Sequence, residues 1–155
     1  MKRLTSSILG VIILATGSPL IADLELVRVW PGYREAASFT AATEYFGGPA
    51  AKSNQAARRT QPQERAGYYW LVRTKSDTGY GAASALLEVT RAGSTQPISY
   101  EFSWDIPAGN HAVPLGITGA DWANSDEVPI AWRLTIFSSQ GTQLASSQSF
   151  LWQNL

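Results

Sequence analysis

Side chains that transfer protons near neutral pH are scarce in this chain of 155 residues, which contains one histidine and no cysteine. The histidine, His111, follows turn-forming residues 107–110 and leads into a strand pattern. Catalysis by a serine hydroxyl needs an oriented imidazole and is often marked by a Gly-x-Ser-x-Gly turn, which the sequence does not contain. We therefore interpret His111 as structural, and the sequence predicts no catalytic residue.

The same composition restricts metal chemistry. A structural zinc site needs four nitrogen or sulfur ligands, which one histidine and no cysteine cannot supply. Calcium needs only oxygen ligands, and the stretch 121–127 carries Asp121, Asn124, Asp126 and Glu127. Their spacing does not match the Asp-x-Asp-x-Asp-Gly loop, and no glycine-rich phosphate loop is present. The sequence therefore predicts no metal, no cofactor and an ordinary acidic turn at 121–127.

Two carboxylates keep an enzymatic alternative open. Glu88 and Glu101 lie on strand patterns that can be neighbours, and a glycosidase can take its two carboxylates from distant strands. Both occupy the polar side of their strands, where a solvated glutamate makes a poor general acid. A hydrolase that uses these surface carboxylates is therefore the alternative to a non-enzymatic protein.

Aromatic residues outside the strand patterns are the candidates for ligand binding. Trp30 and Tyr33 flank Pro31-Gly32, which reads as a turn, and Trp122 lies in the acidic loop among polar neighbours. Flat rings can stack on sugars or anchor a protein partner. The other interpretation is that each ring is buried at one end of the fold. Burial is favoured because exposed aromatic patches promote aggregation.

Strict alternation of apolar and polar residues predicts the strands that position these side chains. In residues 98–106 every even position is apolar and every odd position polar, and residues 130–136 repeat the pattern. A turn at 139–142 predicts a hairpin between 130–136 and 144–152, and 67–74 is expected to pair similarly with 83–91. Strands at 24–30 and 111–117 complete a set of about seven, typical of antiparallel sandwiches.

One segment departs from the alternation of apolar and polar residues that predicts strands. Residues 34–46 place Ala36, Phe39, Thr43 and Phe46 at helical spacing before Gly47-Gly48, which predicts a short helix, although the threonines and aromatics also suit a strand. Residues 49–63 form the longest expected loop, with a short edge strand near Arg59. No repeat or second domain is evident, so residues 23–155 are expected to form one domain.

The N-terminus predicts export. Lys2 and Arg3 precede an apolar run at 8–15, which is too short to span a bilayer, and small or turn-forming residues follow it. Residues 1–22 are therefore interpreted as a secretory signal with cleavage after Ala22, or alternatively after Gly17. Export to the periplasm or the outside follows, without a membrane span in the mature chain. Anchoring to the inner membrane by an uncleaved segment is the alternative.

The strand pattern from Leu24 to Trp152 resembles an immunoglobulin-like or fibronectin type III-like sandwich without the cysteine pair of antibody domains. The full chain has 12 basic and 12 acidic residues, so loss of Lys2 and Arg3 leaves a slight negative charge, which argues against a nucleic-acid partner. We expect an exported non-enzymatic sandwich that binds an envelope protein or glycan. A subunit that assembles through edge strands is a further alternative.

Overall fold

The computed structural model describes residues 23–39 and 56–154, which form two four-stranded sheets around a shared core. The predicted antiparallel β-sandwich is confirmed. In chain order the strands are β1 Leu24–Arg34, β2 Arg58–Arg59, β3 Gly67–Ser76, β4 Tyr80–Thr90, β5 Ile98–Ile106, β6 Gly109–Thr118, β7 Ala131–Phe137 and β8 Gln143–Gln148. Short 3₁₀ helices, Gly119–Trp122 and Phe150–Asn154, follow β6 and β8.

The strand order is immunoglobulin-like. The first sheet runs β1-β3-β6-β2 and the second runs β5-β4-β7-β8, and every pairing is antiparallel except that of β2 with β6. If β1, β3 and β6 take the letters A, B and E, the second sheet becomes C′-C-F-G. This places strands C, F and G opposite A and B, as in immunoglobulin-like sandwiches.

One predicted pairing is wrong. Strands β3 and β4 do not form a hairpin, because β3 pairs with β1 and β6 whereas β4 pairs with β5 and β7. The turn after β3 instead crosses between the sheets. The carboxylate of Asp23 holds this turn by accepting hydrogen bonds from the backbone N–H groups of Asp77 and Thr78, each at 3.0 Å. The predicted C-terminal hairpin is confirmed, although β8 ends at Gln148 and a 3₁₀ helix follows.

The core contains the apolar side of the alternating strands. In β5 the side chains of Phe102, Trp104 and Ile106 are buried, as the alternation predicts, while Glu101 is exposed. Trp70 of β3 and Trp132 of β7 are also buried. Burial of apolar surface contributes roughly 25 cal/mol per Å², so this continuous core is the main stabilising feature of the sandwich.

Several predictions fall partly outside the described residues. Arg34 ends β1 rather than beginning a helix, residues 36–39 are helical, and 40–46 lie outside the described part of the chain. The signal at 1–22 lies outside it as well. The short strand expected near Arg59 is present as β2. Within residues 23–39 and 56–154, no helix is long and apolar enough to cross a bilayer.

Candidate functional site

Trp122, one of the three predicted binding rings, lies inside the molecule. The 3₁₀ helix after β6 turns its ring into the core, where 1% of its surface is exposed. The ring centroid lies 4.8 Å from that of Tyr68 and 6.3 Å from that of Trp70. Trp122 therefore offers no exposed face to a ligand and fills one region of the core instead.

The other two rings lie on β1. This strand continues through Pro31 and Gly32, where the sequence suggested a turn, and proline is tolerated because β1 is an edge strand. Trp30 lies opposite Leu71 of β3, on the outer side of the first sheet. Tyr33 has the opposite orientation and packs partly against the core.

A shallow cavity brings Trp30 and Tyr33 together. It has a volume of about 310 Å³, and Arg34, Glu35 and Tyr69 also line it. We call this cavity the β1 trough. Three aromatic residues, one cation and one carboxylate line it at the edge of the first sheet; of the three, Trp30 and Tyr33 are partly exposed, whereas Tyr69 is buried with 1% of its surface exposed. The structure therefore joins two of the three predicted rings and separates Trp122 from them.

Tyr69 forms a rigid wall of the β1 trough. Its ring lies over Gly116 of β6, where an added Cβ would come within 2.3 Å of a ring carbon. The hydroxyl donates to the carbonyl of Arg65 at 2.7 Å and accepts from Nε of Arg59 at 2.8 Å. Burial raises the pKa of Tyr69 above its usual value, so the phenol stays protonated at neutral pH.

Two guanidinium groups flank Trp30. The guanidinium carbon of Arg28 lies 4.3 Å from the centroid of the indole, and that of Arg73 lies 5.5 Å from it. Arg28 and Arg73 are also directly opposite each other across β1 and β3. Among the described residues, neither forms an ion pair with a carboxylate. Trp30 is therefore the centre of an exposed cationic cluster, which we call the Arg28/Arg73 pair.

A second shallow cavity adjoins this pair. It has a volume of about 530 Å³ and is lined by Val27, Arg73, Asn110, His111 and Ala112. A ring nitrogen of His111, Nε2, lies 2.8 Å from the carbonyl oxygen of Ala108, which orients the imidazole. This backbone partner holds the ring within its own turn.

Charge is distributed unequally between the sheets. The strands of the first sheet carry six basic residues and one acidic residue, whereas those of the second carry one basic residue and three acidic ones. Side chains alternate between the two faces of a strand, and this alternation places five of the six cations on the outer face of the first sheet, namely Arg28, Arg34, Arg59, Arg73 and Lys75. A protein with little net charge therefore presents one cationic face.

The carboxylates of the hydrolase alternative lie on the second sheet. Strands β4 and β5 are neighbours, as expected, and Glu101 is opposite Leu86 rather than Glu88. Glu88 accepts a hydrogen bond from Nε of Arg133 at 2.7 Å and forms an ion pair with the same guanidinium. One of the two carboxylates is therefore already engaged by a cation.

The acidic stretch at 121–127 is organised around a guanidinium. Arg91 binds both carboxylate oxygens of Glu127 and donates to the carbonyl of Asp121 at 2.8 Å. Its guanidinium carbon lies 4.3 Å from the ring centroid of Trp122. These hydrogen bonds lower the pKa of Glu127. In the described part of the chain, no three histidine, aspartate or glutamate side chains are placed to hold a metal ion.

Sequence reasoning missed Arg28, Arg73 and Tyr69 as parts of this surface. Arg28 and Trp30 already share one face of the predicted strand 24–30, but their proximity to Arg73 and Tyr69 of β3 depends on strand pairing. The cation cluster and the β1 trough therefore emerge only from the fold. Comparison with protein-family models and with curated proteins finds no match to this sequence.

Proposed function

We propose that this protein is an exported, non-enzymatic binding protein of the cell envelope, and that it holds a glycan against the outer side of its first sheet. The observation that carries the proposal is the β1 trough, in which Trp30 and Tyr33 line one surface cavity. Aromatic rings offer flat apolar faces, and the adjoining cations and carboxylate supply polar contacts for hydroxyl groups.

The chemistry of the site favours a glycan over a protein partner. Large apolar side chains that are well exposed occur at six described positions, and only one of them, Val27, belongs to the first sheet. Stable protein interfaces usually contain a desolvated apolar centre with aromatic or arginine anchors. A shallow trough with one half-buried indole and several polar groups is better suited to a sugar chain.

Binding rather than catalysis is supported by the partners of the titratable groups. His111 is oriented by a backbone carbonyl, Glu88 by Arg133 and Glu127 by Arg91. General acid and base catalysis needs such groups to face a reacting atom within hydrogen-bonding distance. Each of these groups is instead engaged by a partner within the fold.

Titration of the purified protein with soluble envelope glycans, followed by calorimetry, tests the proposal. We expect Trp30→Ala to weaken binding by about fivefold or more, since an aromatic contact contributes roughly 1 kcal/mol. Trp152→Ala is the matched control because Trp152 is also half-buried with an arginine, Arg133, 5.0 Å from its ring centroid. Equal weakening by both variants, or binding of no glycan by the folded protein, would contradict the proposal.

Export is tested separately. Expression of the full chain with fractionation and N-terminal sequencing is expected to give a mature protein that starts at Asp23. A start at Ser18 would support the alternative cleavage after Gly17. Recovery of the uncleaved chain in the membrane fraction would contradict export as a released protein.

A further inference from the structure

We infer that the Arg28/Arg73 pair makes this surface selective for an acidic glycan, one that carries carboxylate or phosphate groups along its chain. This inference rests on the proposed function and names the chemical class of its ligand. The feature that carries it is the position of two guanidinium groups, neither paired with a carboxylate of residues 23–39 or 56–154, on the same outer face as the β1 trough.

The arrangement of the pair is unfavourable without an anion. Side chains directly opposite each other on antiparallel strands have Cβ atoms about 5 Å apart, and like charges in such positions destabilise a sheet. Contact with Trp30 offsets part of this cost by cation–π attraction. An oxyanion bound between Arg28 and Arg73 would remove the repulsion and accept charge-assisted hydrogen bonds from both.

The neighbouring cation of β3 has an acidic residue across the strand pair rather than a second cation. Lys75 lies two residues beyond Arg73 on β3 and has Glu25 directly opposite it on β1. This cross-strand position holds charges of opposite sign, whereas the position of Arg28 and Arg73 holds two positive charges. Of these two cross-strand positions of β1 and β3, the one beside Trp30 is therefore the one with like charges.

The spacing of the cations favours a polymer of moderate charge density. Arg34, at the β1 trough, is six residues from Arg28, which corresponds to about 20 Å along a strand. Two well-separated cationic points match a chain whose anionic groups recur along an extended length. Duplex nucleic acid carries roughly one charge per 1.7 Å, which is much denser than the two cationic points. Some of its phosphates would therefore lie against Glu25 and Glu35 instead of a cation.

Calorimetry on protein purified from cells that express the full chain tests the inference. Short oligogalacturonates supply carboxylates, a glycerol-phosphate teichoic acid supplies phosphates, and neutral oligoglucosides of matched length supply neither. We expect at least one acidic glycan to bind more tightly than the neutral one. We also expect Arg28→Gln and Arg73→Gln each to weaken binding of that acidic glycan about tenfold, the loss of a hydrogen-bonded charge contact.

Arg133→Gln is the matched control, because Arg133 is partly exposed on β7 of the second sheet and its loss changes the net charge equally. It is expected to leave affinity within about twofold, since exposed charges at a distance are screened by salt. Thermal melting of each variant shows that the fold is retained. Arg73→Lys provides a second measurement, and it should keep part of the affinity because the charge remains.

The outcomes separate the inference from the proposed function. Acid selectivity would be overturned if neutral and acidic glycans bound equally tightly and if Arg28→Gln and Arg73→Gln left the affinity unchanged. Glycan binding itself would remain supported if Trp30→Ala still weakened it. Binding of no glycan would remove both. Equally tight binding of polyglutamate or single-stranded DNA, lost in the same arginine variants, would overturn the assignment of a glycan.

Discussion

At the scale of single residues, arginine has a different role in each half of the molecule. Arg91 and Arg133 near the second sheet are paired with Glu127 and Glu88. Arg28 and Arg73 on the first sheet face each other and an indole. The paired arginines stabilise the fold, whereas the unpaired ones create the proposed binding surface.

The Arg91–Glu127 pair makes a testable contribution to stability. The hydrogen bonds from Arg91 hold the pKa of Glu127 below its ordinary value of 4.5, so the ionised carboxylate stabilises the fold. This contribution is complete above about pH 4.5 and is lost as the pH falls through the lowered pKa in the folded state. Glu127→Gln is expected to lower the free energy of unfolding at pH 7 by about 1–3 kcal/mol.

Thermal or denaturant unfolding at several pH values measures this contribution. The difference between the natural protein and Glu127→Gln is expected to shrink as the pH falls below 4.5. Asp126→Asn is the matched control, because it removes the same charge from an exposed position in the same loop. A difference that is constant from pH 7 to pH 3, or equal losses in both variants, would contradict this role.

Tyr69 and Gly116 provide a second residue-scale prediction. A methyl group at Gly116 would overlap the Tyr69 ring, with carbon atoms as close as 2.3 Å. Gly116→Ala is therefore expected to displace the ring and lower stability by about 1–3 kcal/mol, as overpacking usually does. Gly32→Ala is the control, because no atom lies within 4 Å of a Cβ added there. Equal stability of the two variants in urea unfolding would contradict the packing of this wall.

At the scale of elements, the sequence predicted strands well and their neighbours poorly. Strand β5 has the predicted bounds, Ile98–Ile106, because one of its faces is apolar and the other polar throughout. The pairing of β3 with β4 was wrong because periodicity identifies the buried face of a strand but not the strand beside it. The end of β1 was missed because Pro31-Gly32 resembles a turn, yet an edge strand tolerates proline.

The crossing between β3 and β4 depends on Asp23. One carboxylate oxygen accepts from two backbone N–H groups and from the hydroxyls of Ser76 and Thr78, both at 3.3 Å. Asp23→Ala is expected to lower the free energy of unfolding by about 1 kcal/mol and to speed hydrogen exchange in the turn after β3. Glu25→Ala, two residues further along the chain in β1, is the control. Unchanged exchange in Asp23→Ala would show that the turn is held by other contacts.

At the scale of the whole molecule, the two sheets carry different charge because five cations lie along the outer side of the first. The sequence showed a nearly neutral total and scattered basic residues, so it argued against nucleic acid but could not reveal a cationic face. That face depends on which strands share a sheet. The same dependence explains why the sequence placed Trp30 and Tyr33 around one expected turn but did not place Tyr69 and Arg73 of β3 beside them.

The outer side of the first sheet, around Trp30, is the proposed binding surface. Backbone amide shifts of the isotope-labelled protein, recorded during titration with the tightest-binding glycan, test it most directly. We predict that the shift changes concentrate on β1 and on the outer-facing residues of β3, with little change on β7 and β8. Changes concentrated on the second sheet, or no changes at a saturating glycan concentration, would contradict the claim.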